Sequence, residues 1–335
     1  MKVTNRHAAA MIGGLSLLSS FALAAWLQLN SGTTAELYSV HFPEGTQVGS
    51  AVGAGMDSLG GLVGVILKTT DRGDTWQTMN VGHVNALSSV YFKNNDSGYA
   101  VGTAGTAIRT TDGGATWTAM TVPTTDLLTK VQFPENGQIG YIGVNPRAGG
   151  GEVLRTTNGG DSWASISVGG AMNTSYSCAM ATDNIGVVIG YQGMLYGTTD
   201  GCSTFTAQGP QTIADIVAAA FSPDPNVGYL IGNDSTRGVI RHTDDGGATL
   251  WDTVRHYPIR AFYGVDMPTS EVAWVCGTDG MILRSVTPHD FYRSTTQATA
   301  NMHGLCFPNG ADTGYAVGAG GVILRTYDGG LPWSP

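Results

Sequence analysis

A turn-forming box, Ser/Thr-x-Asp-x-Gly-x-x-Trp, recurs through this chain and constrains its fold more than any other feature. The clearest copy runs Thr110-Thr111-Asp112-Gly113-Gly114-Ala115-Thr116-Trp117. The other copies, some of them eroded, are Asp71 with Trp76, Asn158 with Trp163, Asp200 with Phe205, Asp244 with Trp251, Phe291 alone, and Asp328 with Trp333. The copy that ends at Trp251 has one extra residue. Successive closing aromatics are thus 41, 46, 42, 46, 40 and 42 residues apart.

The residues of each box predict a capped β-hairpin. An alternating, β-branched stretch such as Gly64-Val65-Ile66-Leu67-Lys68 precedes the box and favours a strand. Asp or Asn can then accept hydrogen bonds from backbone N–H groups of the turn, and Gly supplies positive φ. The aromatic residue begins the returning strand. A repeat of about 40–45 residues with several strands per unit indicates a β-propeller blade, so the sequence predicts an all-β, seven-bladed propeller.

Two further motifs give the repeat a family resemblance. Residues 98–105 read Gly-Tyr-Ala-Val-Gly-Thr-Ala-Gly, and residues 314–320 read Gly-Tyr-Ala-Val-Gly-Ala-Gly. Together with the box, they resemble the photosystem II stability and assembly factor family over roughly residues 35–335. The resemblance implies a seven-bladed propeller on the lumenal or periplasmic side of a membrane. It also implies an arginine-rich docking surface, without fixing its residues.

Composition fits one β domain and excludes nucleic acid as a partner. The chain has 335 residues, of which 49 are Gly and 42% are hydrophobic, while only 12% are charged. Such a chain has many tight turns and enough apolar residues for a core. The net charge of −9 argues against phosphate binding, which needs a basic surface.

Residues 1–30 are predicted to be a signal-anchor helix, and residues 31–335 the propeller. Lys2 and Arg6 precede an uncharged run over residues 8–29, which is long enough to span a bilayer. The basic end would be cytoplasmic and the propeller periplasmic at a bacterial inner membrane. A cleaved signal peptide, with Ala22-Leu23-Ala24 as its site, remains the alternative. A stripe of small residues could form a helix-packing face: Ala9, Gly13, Ser16, Ser20 and Ala24.

A basic residue precedes nearly every box, and these bases form the candidate docking set. They are Lys68, Arg109, Arg155, Arg241, Arg284 and Arg325. The structural interpretation is that they pair with acidic groups or carbonyls between blades. The functional interpretation is a patch that docks an acidic partner surface.

Two structural details stay open in the sequence. Cys276 and Cys306 fall on neighbouring predicted strands, so they are either small buried residues or a disulfide. The chain ends two residues after Trp333, which leaves the last blade without a full outer strand. A segment near residues 27–34 could complete it, but a membrane helix reaching Leu29 would leave little chain for this. We therefore expect incomplete closure.

The sequence gives little support to an enzyme. Sialidase-like hydrolysis is unsupported because the Phe/Tyr-Arg-Ile-Pro motif is absent and only five Glu are present. The seven His show no metal-ligand spacing, and no cofactor is predicted. We expect a non-enzymatic, membrane-anchored scaffold that assembles or stabilises a membrane complex. The resemblance implies a photosynthetic reaction centre, with its polypeptides as partners. An exported propeller that binds or hydrolyses glycans is the alternative.

Overall fold

The computed structural model is a ring of seven four-stranded antiparallel sheets, as the box repeat predicts. It describes residues 26–135, 137–169, 174–208, 214–234, 236–249, 251–258 and 260–330. Each sheet is one blade, and adjacent strands of a blade are joined in sequence order. The first strand of every blade lies innermost, next to the first strands of its two neighbours.

Blades 1 to 4 each use one continuous stretch of chain. Their strands are, for blade 1, β2 (Glu36–His41), β3 (Gly49–Met56), β4 (Leu62–Thr69) and β5 (Gln77–Thr78); for blade 2, β6 (Leu87–Phe92), β7 (Gly98–Gly102), β8 (Ala107–Thr110) and β9 (Thr118–Ala119); for blade 3, β10 (Leu127–Gln132), β11 (Gly140–Asn145), β12 (Glu152–Thr156) and β13 (Ala164–Ser167); and for blade 4, β14 (Ser175–Met180), β15 (Gly186–Gly190), β16 (Leu195–Thr198) and β17 (Thr206–Ala207).

Blades 5 and 6 follow the same plan, and blade 7 combines both ends of the described chain. Their strands are, for blade 5, β18 (Asp215–Phe221), β19 (Gly228–Asn233), β20 (Arg237–Thr243) and β21 (Asp252–Pro258); for blade 6, β22 (Phe262–Asp266), β23 (Trp274–Gly277), β24 (Ile282–Thr287) and β25 (Asp290–Arg293); and for blade 7, β26 (Met302–Cys306), β27 (Gly314–Gly318), β28 (Ile323–Thr326) and the early strand β1 (Leu27–Leu29). Three short 3-10 turns lie at Thr103–Gly105, Tyr191–Gly193 and Ala319–Gly321.

The core lies between blades and depends on a large apolar residue at the end of each first strand, which is Phe in five blades and Met in blades 4 and 6. In blade 2, Phe92 meets the closing Trp117 edge-on, with ring centroids 5.9 Å apart. The second strand must pass close to the first, and Gly102 permits this. A Cβ at this position would lie 2.0 Å from the Ala86 carbonyl oxygen. Glycine near the crowded axis is therefore a packing requirement.

Closure of blade 7 corrects the expectation that its outer strand would be incomplete. Strand β1 pairs with β28 in antiparallel register, with Leu27 opposite Arg325 and Leu29 opposite Ile323. Trp26, immediately before β1, meets Phe307 edge-on at 5.9 Å, which is the geometry of the Phe92–Trp117 pair in blade 2. The N-terminal side of the chain thus supplies both the missing strand and its closing aromatic.

This closure also moves the boundary of the predicted anchor. Trp26 is 1% exposed and lies inside the propeller, although we had assigned residues 26–30 to the membrane segment. The rest of that segment lies outside the described residues, including the small-residue face of Ala9, Gly13, Ser16, Ser20 and Ala24. Across the described ranges, no helix is long and apolar enough to cross a membrane.

Candidate functional site

Each box turn is held by a small network around its Asp or Asn side chain. In blade 2, the Thr110 hydroxyl donates to Asp112 Oδ1 at 2.7 Å and accepts from the Gly114 N–H at 2.8 Å. The Thr116 backbone N–H and hydroxyl donate to the same carboxylate at 2.9 and 2.6 Å. These bonds to the ionised carboxylate lower the pKa of Asp112 to about 2. The pKa of Asp71 is also lowered to about 2, first by the hydroxyl of Thr75.

The box of blade 5 is shifted by one residue from our assignment. Asp245, and not Asp244, accepts from the Thr243 hydroxyl at 2.8 Å and from the Thr249 hydroxyl at 2.6 Å. The extra residue of this copy therefore lies between Thr249 and Trp251. The same shift moves the base position from Arg241 to His242, because His242 directly precedes Thr243 and pairs with Tyr229 across the sheet.

The remaining predicted box residues fall into three groups. Asn158 and Asp200 accept from the backbone N–H four residues later, as Asp112 does. Phe205 packs against the core of blade 4. Phe291 is buried in blade 6. Asp328 accepts from the Thr326 hydroxyl at 2.8 Å, whereas Trp333 lies outside the described residues.

Two of the six predicted bases brace one blade to the next. Arg109 of blade 2 pairs with Asp161 in the box turn of blade 3. Arg325 of blade 7 donates to Asp74 Oδ1 and to the Arg72 carbonyl, both at 2.7 Å, in the box turn of blade 1. The Arg325 side chain is only 6% exposed, so this base is buried in the joint between the last blade and the first.

The other four bases also lie against the propeller. Lys68 Nζ and an Arg155 guanidinium nitrogen lie beside glycines of the neighbouring box turns. Arg284 donates to the Tyr292 hydroxyl at 3.2 Å, and Arg241 donates to the Trp251 carbonyl at 2.9 Å. These contacts favour the structural interpretation of the bases. Docking through them stays a prediction.

Tyrosines of the second strands reinforce the same joints. Tyr99 donates to the Gly159 carbonyl at 2.6 Å, Tyr141 to that of Asp183 at 2.7 Å, and Tyr315 to that of Arg72 at 2.9 Å. In each case the acceptor belongs to the following blade. Tyr–Arg pairs on adjacent strands therefore tie blades 2, 3 and 7 to the blades that follow them.

A central channel of about 660 Å³ runs between the seven first strands. Each first strand carries a β-bulge near its beginning. The bulged residues form a ring in the channel wall: Tyr38, Ser88, Thr129, Tyr176, Val217, Tyr263 and His303. Sequence reasoning missed this ring, because the residue at the bulge differs in type from blade to blade.

Two charged groups of the channel, Lys130 and Asp266, are engaged by the backbone. Lys130 Nζ donates to the Ala219 carbonyl at 3.3 Å, and burial lowers the pKa of Lys130. Asp266 accepts from the backbone N–H groups of Met267 and Phe307 at 2.9 and 2.8 Å, and burial raises its pKa. Burial also lowers the pKa of His41 to about 4, so its ring is neutral at pH 7.

No described group of side chains forms a metal site or a reactive thiol. Within the part of the chain that the structure describes, no three His, Cys, Asp or Glu residues are arranged to hold a metal ion. Cys276 and Cys306 are free and buried, which removes the disulfide alternative. Burial raises the pKa of the Cys178 thiol to about 12, so this thiol is not a nucleophile at pH 7.

The exposed apolar residues divide between the two sides of the disc. The side on which each third strand ends carries the box turns, and we call it the box-turn side. The β3–β4 hairpin projects on the opposite side, where Met56, Leu59 and Leu62 are 73, 93 and 60% exposed. Its turn is ordered by Asp57, which accepts from the N–H groups of Leu59 and Gly61 at 2.9 and 2.7 Å. An ordered apolar hairpin suits protein contact.

Comparison with known proteins confirms the resemblance. Residues 68–220, less than half of the chain, match the family model described as "Photosynthesis system II assembly factor YCF48". No curated protein matches the sequence. The chain is therefore a propeller like those of photosystem II assembly factors.

Solved structures show the same fold at low identity. "YCF48 bound to D1 peptide" is 19% identical with a TM-score of 0.70, covering 90% of this chain and 96% of that one. YCF48 from Cyanidioschyzon merolae is 19% identical with a TM-score of 0.69, covering 91% of this chain and 99% of that one. An ancestral GH74 enzyme is 16% identical with a TM-score of 0.69, covering 92% of this chain and 46% of the enzyme. These likenesses establish the propeller fold, which hosts more than one function.

Proposed function

We propose that this photosystem II assembly factor-like propeller is a non-enzymatic scaffold that assembles or stabilises a photosynthetic reaction-centre complex. The match of residues 68–220 to the assembly-factor family carries this proposal. The partner we propose is a reaction-centre polypeptide. A D1 peptide, the ligand named for one propeller of this fold, is an example of that class.

The disc has the mechanical properties that a scaffold needs. Buried braces such as Arg325 to Asp74 tie neighbouring blades together, so the surface loops keep fixed relative positions. The hairpin tip with Leu59 offers an apolar contact beside the polar rim. A rigid disc with such a contact can bridge several polypeptides at once.

Membrane attachment through residues 1–25 and a periplasmic propeller complete the proposal. The support is the uncharged run that begins at residue 8 and the basic residues Lys2 and Arg6 before it. A run of this length can span a bilayer, and basic residues at one end favour a cytoplasmic location for that end.

The channel supports the absence of hydrolysis. Glycosidases use two facing carboxylates, one of which must be free to act as acid or base. Among the described residues lining the channel, Glu44 and Asp266 are the acidic ones. Asp266 is held by two backbone N–H groups, and its charged neighbour is Lys130 rather than a second carboxylate.

The test is to isolate the full chain from membranes of its source cells in mild detergent. We expect it to copurify with pigment-bearing reaction-centre polypeptides in a fixed ratio. Leu59→Ser should reduce that ratio several-fold, whereas the exposed control Thr118→Ser, on an outer strand away from the hairpin, should not. Recovery of the chain without reaction-centre polypeptides, or with glycan-bearing material in their place, would contradict the proposal.

A further inference from the structure

We propose that the box-turn side of the disc lies against the lipid bilayer at blades 6 and 7, with Tyr327 and Val286 at the lipid interface. This orientation rests on the proposed membrane anchor. It goes beyond that proposal by stating which surface of the propeller meets lipid and which surface remains open to protein partners.

The position of Trp26 fixes where the chain leaves the propeller. Its indole N–H donates to the Ser294 hydroxyl at 3.1 Å, and its ring meets Trp274 edge-on at 6.0 Å. The indole also lies next to Gly330, in the box turn of blade 7. Trp26, the first described residue, therefore lies at the box-turn side of this blade.

The length of the uncharged run leaves no tether between an anchor and this point. Residues 8–25 are the uncharged residues that precede Trp26. As a helix with a rise of about 1.5 Å per residue, these residues span about 27 Å, close to the hydrocarbon thickness of about 30 Å. In the proposed anchor, all of these residues would be needed to cross the membrane, which would place Trp26 at the membrane surface.

The exposed side chains at this location suit a lipid interface. Tyr327, in the box turn of blade 7, is 57% exposed, and Val286, near the end of β24 in blade 6, is 55% exposed. The Arg325 guanidinium lies over the Tyr327 ring at 4.6 Å and holds it in place. Tyrosine is enriched at membrane interfaces because its ring is apolar and its hydroxyl is polar. The net charge of −9 gives no general attraction to anionic lipids, so the anchor supplies the contact.

The opposite side has a different role in this orientation. The β3–β4 hairpin, with Leu59 at its tip, projects away from the box turns and hence away from the bilayer. Leu59 is 93% exposed, so it provides a matched apolar control position on the side that should not meet lipid.

The experiment uses the full chain in phosphatidylcholine vesicles and an environment-sensitive fluorophore on one introduced cysteine. The variants are Tyr327→Cys, Val286→Cys and Leu59→Cys, and the unsubstituted chain measures background from the four buried native cysteines. We expect a lipid-borne quencher to reduce emission at positions 327 and 286 at least three-fold more than at position 59. An aqueous quencher should give the reverse order.

Vesicle flotation separates the two proposals. If the chain floats with the vesicles and all three positions are quenched equally by the lipid-borne group, the orientation is wrong while the anchor stands. If Leu59→Cys is quenched most, the disc is inverted. If the intact chain does not float, the anchor fails, and the orientation fails with it.

Discussion

The side chains of each box form one hydrogen-bond network, and that network identifies which acidic residue occupies the Asp position. The sequence analysis assigned the acidic position in blade 5 to Asp244, which is followed by a second acidic residue, Asp245. The network selects Asp245, which bonds to the hydroxyls of Thr243 and Thr249. The Thr-x-Asp spacing of Thr110 and Asp112 is therefore kept by Thr243 and Asp245, and it identifies the box residue in blade 5.

This assignment predicts unequal effects for adjacent substitutions. Asp245→Ala should lower the free energy of unfolding by about 1–2 kcal/mol, because several bonds to one carboxylate are lost. Asp244→Ala should change it by less than about 0.5 kcal/mol, as expected for a surface residue. Urea unfolding followed by circular dichroism measures both changes. Equal losses of stability would contradict the assignment of Asp245 as the box residue.

The box carboxylates also predict how stability depends on pH. The pKa values of Asp71 and Asp112 fall from 3.8 to about 2 on folding. A depressed pKa stabilises the fold above the unfolded value, and this contribution disappears as pH falls from about 4 to about 2. Stability should therefore drop over that range.

In the box of blade 3, an uncharged Asn158 occupies the position of the Asp. Its amide keeps the hydrogen-bond network by donating to Ser162 Oγ at 2.9 Å. Asp112→Asn should fold at pH 7 and lose less stability than the parent between pH 4 and pH 2. Denaturant midpoints at each pH test this, and parallel pH profiles would show that the Asp112 carboxylate contributes nothing to acid sensitivity.

Among the strands, those within a blade were predicted directly, whereas the one that closes the ring was considered near residues 27–34 and then set aside in favour of a membrane helix. The box repeat located hairpins because their partners are neighbours in sequence. Strand β1 pairs with a strand almost 300 residues later, and its apolar residues continue the uncharged run, so the sequence favoured a membrane helix. A further signal was Trp26, which directly precedes β1 as Trp76 directly precedes β5. The candidate site was likewise predicted only in part. The repeat identified the basic residues before the boxes, but it gave no sign of the bulged residues that line the channel.

Closure by β1 predicts that Trp26 is a core residue. Trp26→Ala should lower the free energy of unfolding by about 3–5 kcal/mol, the usual cost of removing a buried Trp. Trp333→Ala is the matched control and should cost much less, because Trp26 fills the closing position of blade 7. Chemical unfolding of both variants decides between them. A larger loss for Trp333→Ala would mean that the C-terminal aromatic closes the blade.

Across the whole molecule, the ring of bases contributes stability in proportion to burial. Arg325 is 6% exposed at the joint of blades 7 and 1, whereas Arg109 is 37% exposed. Arg325→Met should cost about 2 kcal/mol, as for lost charge-assisted hydrogen bonds, and Arg109→Met less than about 1 kcal/mol.

Arg325→Met and Arg109→Met also test whether these bases only connect neighbouring blades or also bind a partner. Copurification of reaction-centre polypeptides should be unchanged at temperatures where both variants remain folded. If Arg109→Met folds normally and yet loses the partner, the bases form a docking patch after all.

The location of β1 also sets an order of events during synthesis. The strand that completes blade 7 is made first, and its partner β28 is made nearly last, so six blades can form before the ring can close. Throughout that time the proposed anchor would hold Trp26 at the membrane. If the anchor is as proposed, the growing arc would have to return to its starting point on the bilayer surface, and the ring would close only there, where β1 is held.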